Sequence, residues 1–468
     1  MNKNLHLLMI TDLVNIRRWH IHRILLGLIV LCFTHCKNAE VKKEDGYDPS
    51  KPMTVSDFYP KEGGAGNNLV IYGENFGSDL SKIKVMIGGK TAVVVGVKNN
   101  SLYCLIPTQA YDGDIKVSVV DGDNNEIANA TAKEVLSYTR KWLVSTFLGK
   151  YYEVGSAFQE KEGPFEDCGA FKGIQWLSFD PKNPNHLYFT AGTNSSRLID
   201  FENKYVSYFR TGLDDASVMT WKLDGNQDML VSHNHASDTK YGNYIFSRQS
   251  NFVQKQAIEV YSRGVRGTLI HPQNGELYYS RFRAGDVRRY DFNTKEDKLV
   301  FTNPYSGVAI YMVMHPTGDY AYLLEYEKHY IMRTDYDRVN KTFKIPYTVC
   351  GEAGTAGYAD GIGTNARLNN PVQGVFVKNP DYQAAGGDQY DFYFCDKSNH
   401  AIRTLTPQGR VGTFAGRGNN GTNGYANGDL RTEARFNSPQ AIAYDELKKC
   451  FYIGDAGNWL IRKIAKEE

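Results

Sequence analysis

Short runs in which apolar and polar residues alternate dominate the chain from Met53 onward, and this period of two predicts β-strands. Glycine, proline and asparagine separate the runs and predict tight turns. Between Met53 and Tyr138 the runs are short and closely spaced, which is typical of a compact sandwich. The predicted strands are Thr54 to Tyr59, Leu69 to Tyr72, Lys84 to Ile87, Ala92 to Val97, Ser101 to Ile106 and Ile115 to Val120.

From Arg140 onward the alternating pattern repeats along the chain. In the last two copies, Asn365 to Gly374 matches Glu433 to Ala441, and Phe392 to Arg403 matches Phe451 to Arg462. Four weaker copies precede them, each an apolar strand followed by a second, aromatic-rich strand. Their first strands end at Phe179, Leu223, Ile270 and Met314. Six copies predict six equivalent units packed around one axis.

The two ends of the repeat region predict how such a ring would close. The fifth copy has a fourth strand from Val411 to Gly416, whereas the sixth stops at Ile464 without one. A segment that matches this fourth strand, Val144 to Gly149, precedes the first copy. We expect it to complete the sixth unit, because the sheet edges of the first and last units would otherwise be left uncovered.

Both regions resemble known families. The turns Tyr59 to Gly64, Ile71 to Gly77, Ile87 to Gly89 and Leu105 to Pro107 resemble those of the IPT/TIG immunoglobulin-like domain, which usually serves as a spacer. The repeats resemble NHL repeats, each of which builds one four-stranded propeller blade. The resemblance implies an all-β protein with an IPT/TIG sandwich at residues 52–139 and a six-bladed NHL-type β-propeller at residues 140–468.

The N-terminus has the pattern of a secretory signal. Arg17, Arg18 and Arg23 precede the apolar run Ile24 to Phe33, which is too short to cross a hydrocarbon core of about 30 Å. The residues from Phe33 to Cys36 resemble a lipobox, with Cys32 as the alternative lipidated residue. We therefore predict a signal peptide at residues 1–35 and a lipidated, flexible tether at residues 36–51 that begins with Cys36.

The tether is polar and carries acidic residues soon after Cys36. In lipoproteins of glycan-degrading Gram-negative bacteria, such residues resemble a surface-export signal, and an ordinary solvated linker is the alternative. The expected location is the outer membrane, with the chain facing the cell exterior and touching the membrane through its lipid anchor only.

Composition excludes several classes of function. The formal net charge is +2, from 54 basic and 52 acidic residues, so the charge expected of a nucleic-acid-binding protein is absent. Beyond the signal the cysteines are odd in number and widely spaced, which argues against a disulfide framework and against a Cys-x-x-Cys metal site. Buried free thiols are expected instead, and no cofactor is predicted.

Candidate binding residues come from the predicted blade geometry. Because neighbouring strands of a blade are antiparallel, the start of the first strand and the end of the second reach the same face of the propeller. The side chains predicted there or beside it are Gln175, His233, His235, Arg266, Arg281, Arg283, Tyr311, Glu325, Tyr326, Gln373, Asp396, Gln440, Asp455 and Trp459. Amide, charged and aromatic groups around one funnel suit a glycan or another small polar ligand.

Several of these residues have an alternative, purely structural interpretation. Asp396 and Asp455 are each followed by an asparagine at a spacing that favours local turn bonding. His233 and His235 could hold a metal only with further ligands, and none is identified. The favoured function is a surface glycan-binding lipoprotein accessory to polysaccharide uptake, with outer-membrane uptake proteins as candidate partners. A propeller-type polysaccharide lyase or lactonase and a protein-interaction scaffold are the alternatives.

Overall fold

The computed structural model describes residues 46–151, 160–192, 196–235, 237, 239–382 and 386–467. The predicted signal peptide, Cys36 and most of the predicted tether lie outside these residues. The described chain forms two compact units that divide after Arg140. Strands dominate both units, and short 3₁₀ turns supplement them. These turns span Leu80–Lys82, Arg248–Ser250, Tyr326–Lys328, Gly363–Asn365, Pro380–Tyr382, Lys397–Asn399 and Asn419–Gly421.

The first unit is the predicted immunoglobulin-like sandwich. Its strands are Thr54–Tyr59, Glu62–Gly63, Asn68–Glu74, Ile83–Ile87, Lys90–Lys98, Ser101–Leu105, Ile115–Val120, Glu126–Thr131 and Ser137–Tyr138. Burial alternates along them, and the inward side chains, among them Phe58, Ile71 and Val85, form one core. Gly73, predicted to lie in a tight turn, lies instead in strand Asn68–Glu74, where an added Cβ would come within 1.9 Å of the Thr54 carbonyl oxygen of the neighbouring strand, so only glycine fits there.

The second unit is a β-propeller of six blades, as the repeats predict. Blade 1 contains Ile174–Phe179, His186–Ala191, Arg197–Asp200 and Tyr205–Tyr208; blade 2 Ala216–Trp221, Met229–His233, Tyr241–Phe246 and Lys255–Tyr261; blade 3 Val265–Ile270, Leu277–Arg281, Asp286–Tyr290 and Asp297–Thr302. Blade 4 contains Ile310–Met314, Tyr320–Glu325, Tyr330–Asp337 and Tyr347–Gly351; blade 5 Pro371–Lys378, Tyr390–Asp396, Ala401–Leu405 and Arg410–Ala415; blade 6 Pro439–Asp445, Cys450–Asp455, Leu460–Lys466 and Trp142–Leu148.

Two-residue strands extend four of the blades. They are Gly163–Pro164 in blade 1, Thr342–Phe343 in blade 4, Gly361–Ile362 in blade 5 and Gly428–Asp429 in blade 6. The predicted closure of the ring is confirmed, because Trp142–Leu148 pairs antiparallel with Leu460–Lys466 and supplies the outer strand of blade 6. The first and last parts of the propeller sequence are thereby joined in one sheet.

Aromatic and aliphatic side chains fill the spaces between blades. Tyr322 of blade 4, for example, packs on Phe376 and Phe392 of blade 5, with ring centroids 5.3 and 5.0 Å apart. The cysteines of the described chain are buried free thiols, as expected from their apolar surroundings in the sequence. The first strand of each blade lines the axis. We call the face of the propeller at which first strands begin and second strands end the upper face.

Candidate functional site

The axial channel of the propeller is closed midway by side chains from opposite blades. The rings of Trp176 in blade 1 and Tyr311 in blade 4 stack at 6.3 Å with an interplanar angle of 18°, and both are buried. Beside them Gln373 accepts a hydrogen bond from the Leu177 amide at 2.9 Å and donates one to the Leu177 carbonyl at 2.7 Å. Its Oε1 also accepts from the Ile442 amide at 3.2 Å, which ties blades 1, 5 and 6 together.

This plug crosses the channel between the two faces of the propeller. A cavity of about 260 Å³ on the lower side is lined by the first strands of all six blades. On the upper side, a group of contacting side chains at the strand ends lies next to the plug, and we call this group the upper mouth. We define the upper mouth by Gln175, Asp215, Asn234, Arg266, Phe282, Tyr311, Tyr326, Lys397 and Gln440.

Backbone hydrogen bonds place the wall of the upper mouth. In blades 2 to 5 the residue that follows the second strand donates its amide to the chain just before the first strand of the same blade. The bonds are Asn234 to Asp215 at 2.9 Å, Phe282 to Gly264 at 2.7 Å, Tyr326 to Ala309 at 3.0 Å and Lys397 to Asn370 at 3.3 Å. Second-strand ends therefore lie beside first-strand starts, as antiparallel pairing requires.

Side-chain contacts continue around the upper mouth. Gln440 of blade 6 donates its amide to Gln175 of blade 1. In blade 2, Asn234 Nδ2 donates to Asp215 Oδ2 at 2.8 Å. The guanidinium carbon of Arg266 lies 5.5 Å from the ring centre of Phe282 in blade 3.

Blades 4 and 5 supply the remaining side of the wall. The ring of Tyr326 meets Tyr311 edge to face at 6.2 Å, and Lys397 Nζ donates to Tyr326 Oη at 3.3 Å. Each of the six blades thus contributes at least one side chain to the upper mouth.

The charges of the upper mouth lie in partly buried surroundings. Burial raises the pKa of the Asp215 carboxyl, and the nearby positive charge of Arg266 opposes that rise. Burial raises the pKa of Tyr311 to about 12, so its phenol stays neutral and keeps its proton. The Nε of Arg266 is buried without a hydrogen-bond partner among the described residues.

The structure brings five of the residues predicted from sequence to the upper mouth: Gln175, Arg266, Tyr311, Tyr326 and Gln440. A sixth, Gln373, lies in the plug below. The contacts of the remaining predicted residues are with other parts of the propeller, and their role in ligand binding stays a prediction.

His233 and His235 lie beside one carboxylate in blade 2. His233 is buried, with Nε2 2.5 Å from Asp214 Oδ1, and His235 Nε2 lies 3.8 Å from Asp214 Oδ2. Lys240 donates to the same carboxylate at 2.8 Å, and the hydrogen bonds from Lys240 and His233 lower the pKa of Asp214. Within the described ranges, no group of three or more His, Cys, Asp or Glu side chains is arranged to hold a metal ion.

Arg281, Arg283 and Glu325 have different surroundings. Arg281 forms a two-point ion pair with Asp286 and lines a groove between blades 2 and 3. Arg283 is exposed. Glu325 is fully buried and accepts hydrogen bonds from Asn303.

Asp396 and Asp455 hold their own repeats together, which matches the structural alternative raised by their spacing. Asp396 accepts from Asn399 Nδ2 and Arg403 Nη1, each at 2.7 Å, and both charged groups are buried. Asp455 makes the same contacts in blade 6, with Asn458 and Arg462. Trp459, which follows Asn458, is half-buried, with its backbone in the left-handed region and its carbonyl bonded to the Phe171 amide.

Sequence reasoning missed Asp215, Asn234, Phe282 and Lys397. The last three come directly after a second strand, whereas the predicted His233, Arg281 and Asp396 end one. Successive side chains of a strand point to opposite faces of the sheet. A shift of one residue along the strand therefore moves the chosen side chain from the upper mouth to the space between blades. For Asn234, Phe282 and Lys397 the signal was their place directly after a second strand, one position beyond the residue chosen.

Comparison with known proteins supports both parts of the fold. Residues 53–134 match the IPT/TIG domain model, which confirms the resemblance found in the sequence. No curated protein sequence matches the chain.

Solved structures from Bacteroides match nearly the whole chain. One is an auxiliary nutrient binding protein of Bacteroides thetaiotaomicron, 50% identical, covering 90% of this chain and 100% of its own length with a TM-score of 0.85. Another is an auxiliary nutrient binding protein of Bacteroides ovatus, 43% identical, covering 91% and 100% with a TM-score of 0.72. A third, from Bacteroides thetaiotaomicron and provisionally named a phosphatase, is 37% identical, covering 90% and 99% with a TM-score of 0.81.

Proposed function

This chain belongs to the family of the Bacteroides auxiliary nutrient binding proteins, and we propose that it binds a glycan at the upper mouth of its propeller as an accessory of polysaccharide uptake. The observation that carries the proposal is the set of polar and aromatic side chains that all six blades contribute to the upper mouth, next to the Trp176–Tyr311 stack.

The chemistry of the upper mouth fits a sugar. A sugar ring has hydroxyl groups that both donate and accept hydrogen bonds, and C–H faces that pack on aromatic rings. Gln175, Asn234 and Arg266 offer donors, Asp215 offers an acceptor, and Tyr326 offers an aromatic side chain. The mixture of charges favours a neutral or weakly charged ligand over a strongly charged one.

The location of the protein follows from the same proposal. Cys36 would carry the lipid, residues 37–51 would act as the tether, and the propeller would face the outside of the outer membrane. In the described part of the chain, no helix has the length and apolar character needed to cross a membrane. Labelling of the protein in intact cells by a protease or an antibody, with and without Cys36→Ala, tests both the anchor and the surface location.

A glycan array probed with residues 46–468 tests the ligand. We expect binding to a restricted set of oligosaccharides, and at least tenfold weaker binding of the best of these by Arg266→Gln and by Tyr326→Ala. Lys298→Gln, an exposed charge change in blade 3, is the control and should leave affinity unchanged. Binding that survives both mouth variants would remove the upper mouth as the site.

The enzyme alternatives are tested on the same protein. Each array hit is incubated with it and followed for shortened or unsaturated products, and a phosphate ester is followed for released phosphate. We expect recovery of the unchanged glycan and no phosphate release. Turnover that is lost in a mouth variant would replace the binding proposal by a catalytic one.

A further inference from the structure

A groove between blades 2 and 3 shares no residue with the upper mouth. It has a volume of about 550 Å³ and runs between the outer strand of blade 2, Lys255–Tyr261, and the outer three strands of blade 3. Its base is apolar where Val260 and Tyr290 join the hydrophobic cluster between the two blades. A concave surface with an apolar base and polar walls is the usual form of a ligand site.

One wall of the groove is an ordered aromatic surface. The side chain of Tyr261 is 53% exposed although its ring stacks on Tyr241, with centroids 5.8 Å apart and an interplanar angle of 16°. Tyr290 lies further along the groove and packs edge to face on Phe292 at 5.5 Å. Because Tyr241 holds one face of the Tyr261 ring, the exposed part is available to a flat apolar surface such as that of a sugar ring.

The opposite wall contains a guanidinium in a fixed orientation. Arg281 Nε donates to Asp286 Oδ1 at 2.8 Å, and its Nη2 donates to Asp286 Oδ2. Asp286 is mostly buried and also lies 3.4 Å from Arg288 Nη1, so the pair is anchored from behind. None of the hydrogen bonds recorded within the described chain uses Arg281 Nη1, which leaves its two N–H groups to donate.

The acidic side chain in the same wall is already satisfied. Asp297 Oδ1 accepts from Tyr279 Oη at 2.9 Å, and its Oδ2 accepts from Arg288 Nε at 2.7 Å. Arg281 and Lys295 supply cationic groups to the lining, against Glu259 as the other acidic residue there. The groove therefore presents cationic donors beside an aromatic surface, which differs from the mixed charges of the upper mouth.

We infer that this groove is a second binding site, which takes an oligosaccharide carrying carboxylate groups. Guanidinium and ammonium donors bind carboxylates through charge-assisted hydrogen bonds, and the tyrosine wall would pack against the sugar faces between them. The choice of a sugar rests on the proposed function, whereas the preference for a negative charge comes from the groove alone. Two separate sites on one propeller would raise the avidity for a long chain.

The test uses hexagalacturonate, an acidic α-1,4-linked hexamer, with the neutral α-1,4-linked maltohexaose as the matched probe. Isothermal titration of the protein should show hexagalacturonate binding at least tenfold more tightly than maltohexaose. Lys295→Gln and Tyr261→Ala change exposed side chains, and each should weaken hexagalacturonate binding at least fivefold. Arg281→Gln should weaken it further, with a thermal melt to verify folding because the ion pair with Asp286 is lost.

Matched controls separate the groove from the rest of the surface. Lys298→Gln lies on the same strand as Asp297 but on its other face, and Tyr347→Ala removes a tyrosine that is 50% exposed on the outer strand of blade 4. Both should bind hexagalacturonate like the unchanged protein. Equal binding of the two hexamers, or hexagalacturonate binding that survives both Lys295→Gln and Tyr261→Ala, would overturn the inference.

These experiments test the groove and the upper mouth independently, so that either proposal can be overturned without the other. Arg266→Gln changes the upper mouth and leaves the groove intact, so it should retain hexagalacturonate binding. Hexagalacturonate binding that is lost in Arg266→Gln but kept in the groove variants would place the acidic sugar at the upper mouth and overturn the second site. Hexagalacturonate binding that depends on the groove, with no array glycan depending on the mouth, would overturn the proposed function alone.

Discussion

Asn303 holds the carboxyl group of Glu325: its Nδ2 lies 2.9 Å from Oε1 and 3.2 Å from Oε2. In blade 5 the corresponding strand end, Asp396, faces the guanidinium of Arg403, the third residue of its third strand. In blade 4 Met332 has that position. The same repeat position therefore carries an ion-paired carboxylate in blade 5 and, among the described residues, a carboxyl with no ion pair in blade 4.

Glu325 makes the stability of the propeller depend on pH. Burial raises its pKa to about 8, so the folded chain keeps a proton that the unfolded chain releases above its ordinary carboxyl pKa. Stability is thus highest below the unfolded pKa and falls as pH rises toward 8, by up to about 1.4 kcal/mol for each pH unit. Glu325→Gln should remove this loss, measured by urea unfolding at pH 5 and pH 8, while the exposed Glu296→Gln should not. Equal slopes in all three proteins would contradict the assignment.

The aromatic plug should be a main source of stability around the axis. Trp176→Ala removes a buried ring that no nearby side chain can replace, and we expect a loss of about 3–5 kcal/mol in the free energy of unfolding. Tyr311→Phe keeps the stacked ring and should cost less than half of that. Denaturant titration of the three proteins measures both values. If Trp176→Ala were as stable as the unchanged chain, the plug would contribute little to the free energy of unfolding.

The buried ion pairs of blades 5 and 6 should be costly to break from one side. Arg403→Met leaves Asp396 buried without its cationic partner, and we expect destabilisation of about 3–5 kcal/mol. The double change Asp396→Leu with Arg403→Met removes both charges and should recover much of this loss. Thermal unfolding of the single and double variants checks the prediction, and a double variant less stable than Arg403→Met would contradict it.

The closing strand should stabilise the propeller as a whole. Val144 is buried in the outer strand of blade 6, and Val144→Asp would place an unpaired charge there. We expect a loss of several kcal/mol, seen as early unfolding of the propeller. Ser145→Asp, at the next, exposed position of the strand, is the control and should change stability by less than about 0.5 kcal/mol. Similar effects of both changes would mean that this strand closes the ring only weakly.

Much of the architecture could be predicted from local pattern. Some features depend only on neighbouring residues in the chain. They are the period-two burial along strands such as Ile83–Ile87, turn residues such as Gly88, and the two matching repeats that contain Asp396 and Asp455. The closure by Trp142–Leu148 could also be predicted. The sixth repeat lacks a fourth strand, and a matching strand precedes the first repeat. These features are set by backbone sterics and by the need to cover sheet edges.

The site could be predicted only in part. The sequence placed Gln175, Arg266, Tyr326 and Gln440 at the correct end of their strands. It did not show that Glu325 is buried inside the propeller and that Arg281 lines the groove. Nor did it show that Phe282 and Lys397 lie at the upper mouth. The side chain of a residue at a strand end can point toward the upper mouth or toward the neighbouring blade. The twist of the sheet and the packing of the neighbouring blade determine which of these occurs.

The sequence by itself thus determined the kinds of unit, their number and their order, because each follows from periodicity and turn chemistry within a few tens of residues. Only the tertiary structure decided that Trp176 meets Tyr311 across the axis, and that Arg281 and Tyr261 line one groove while Arg266 lies at the upper mouth. Those relationships join residues far apart in the chain, and close packing between blades fixes them.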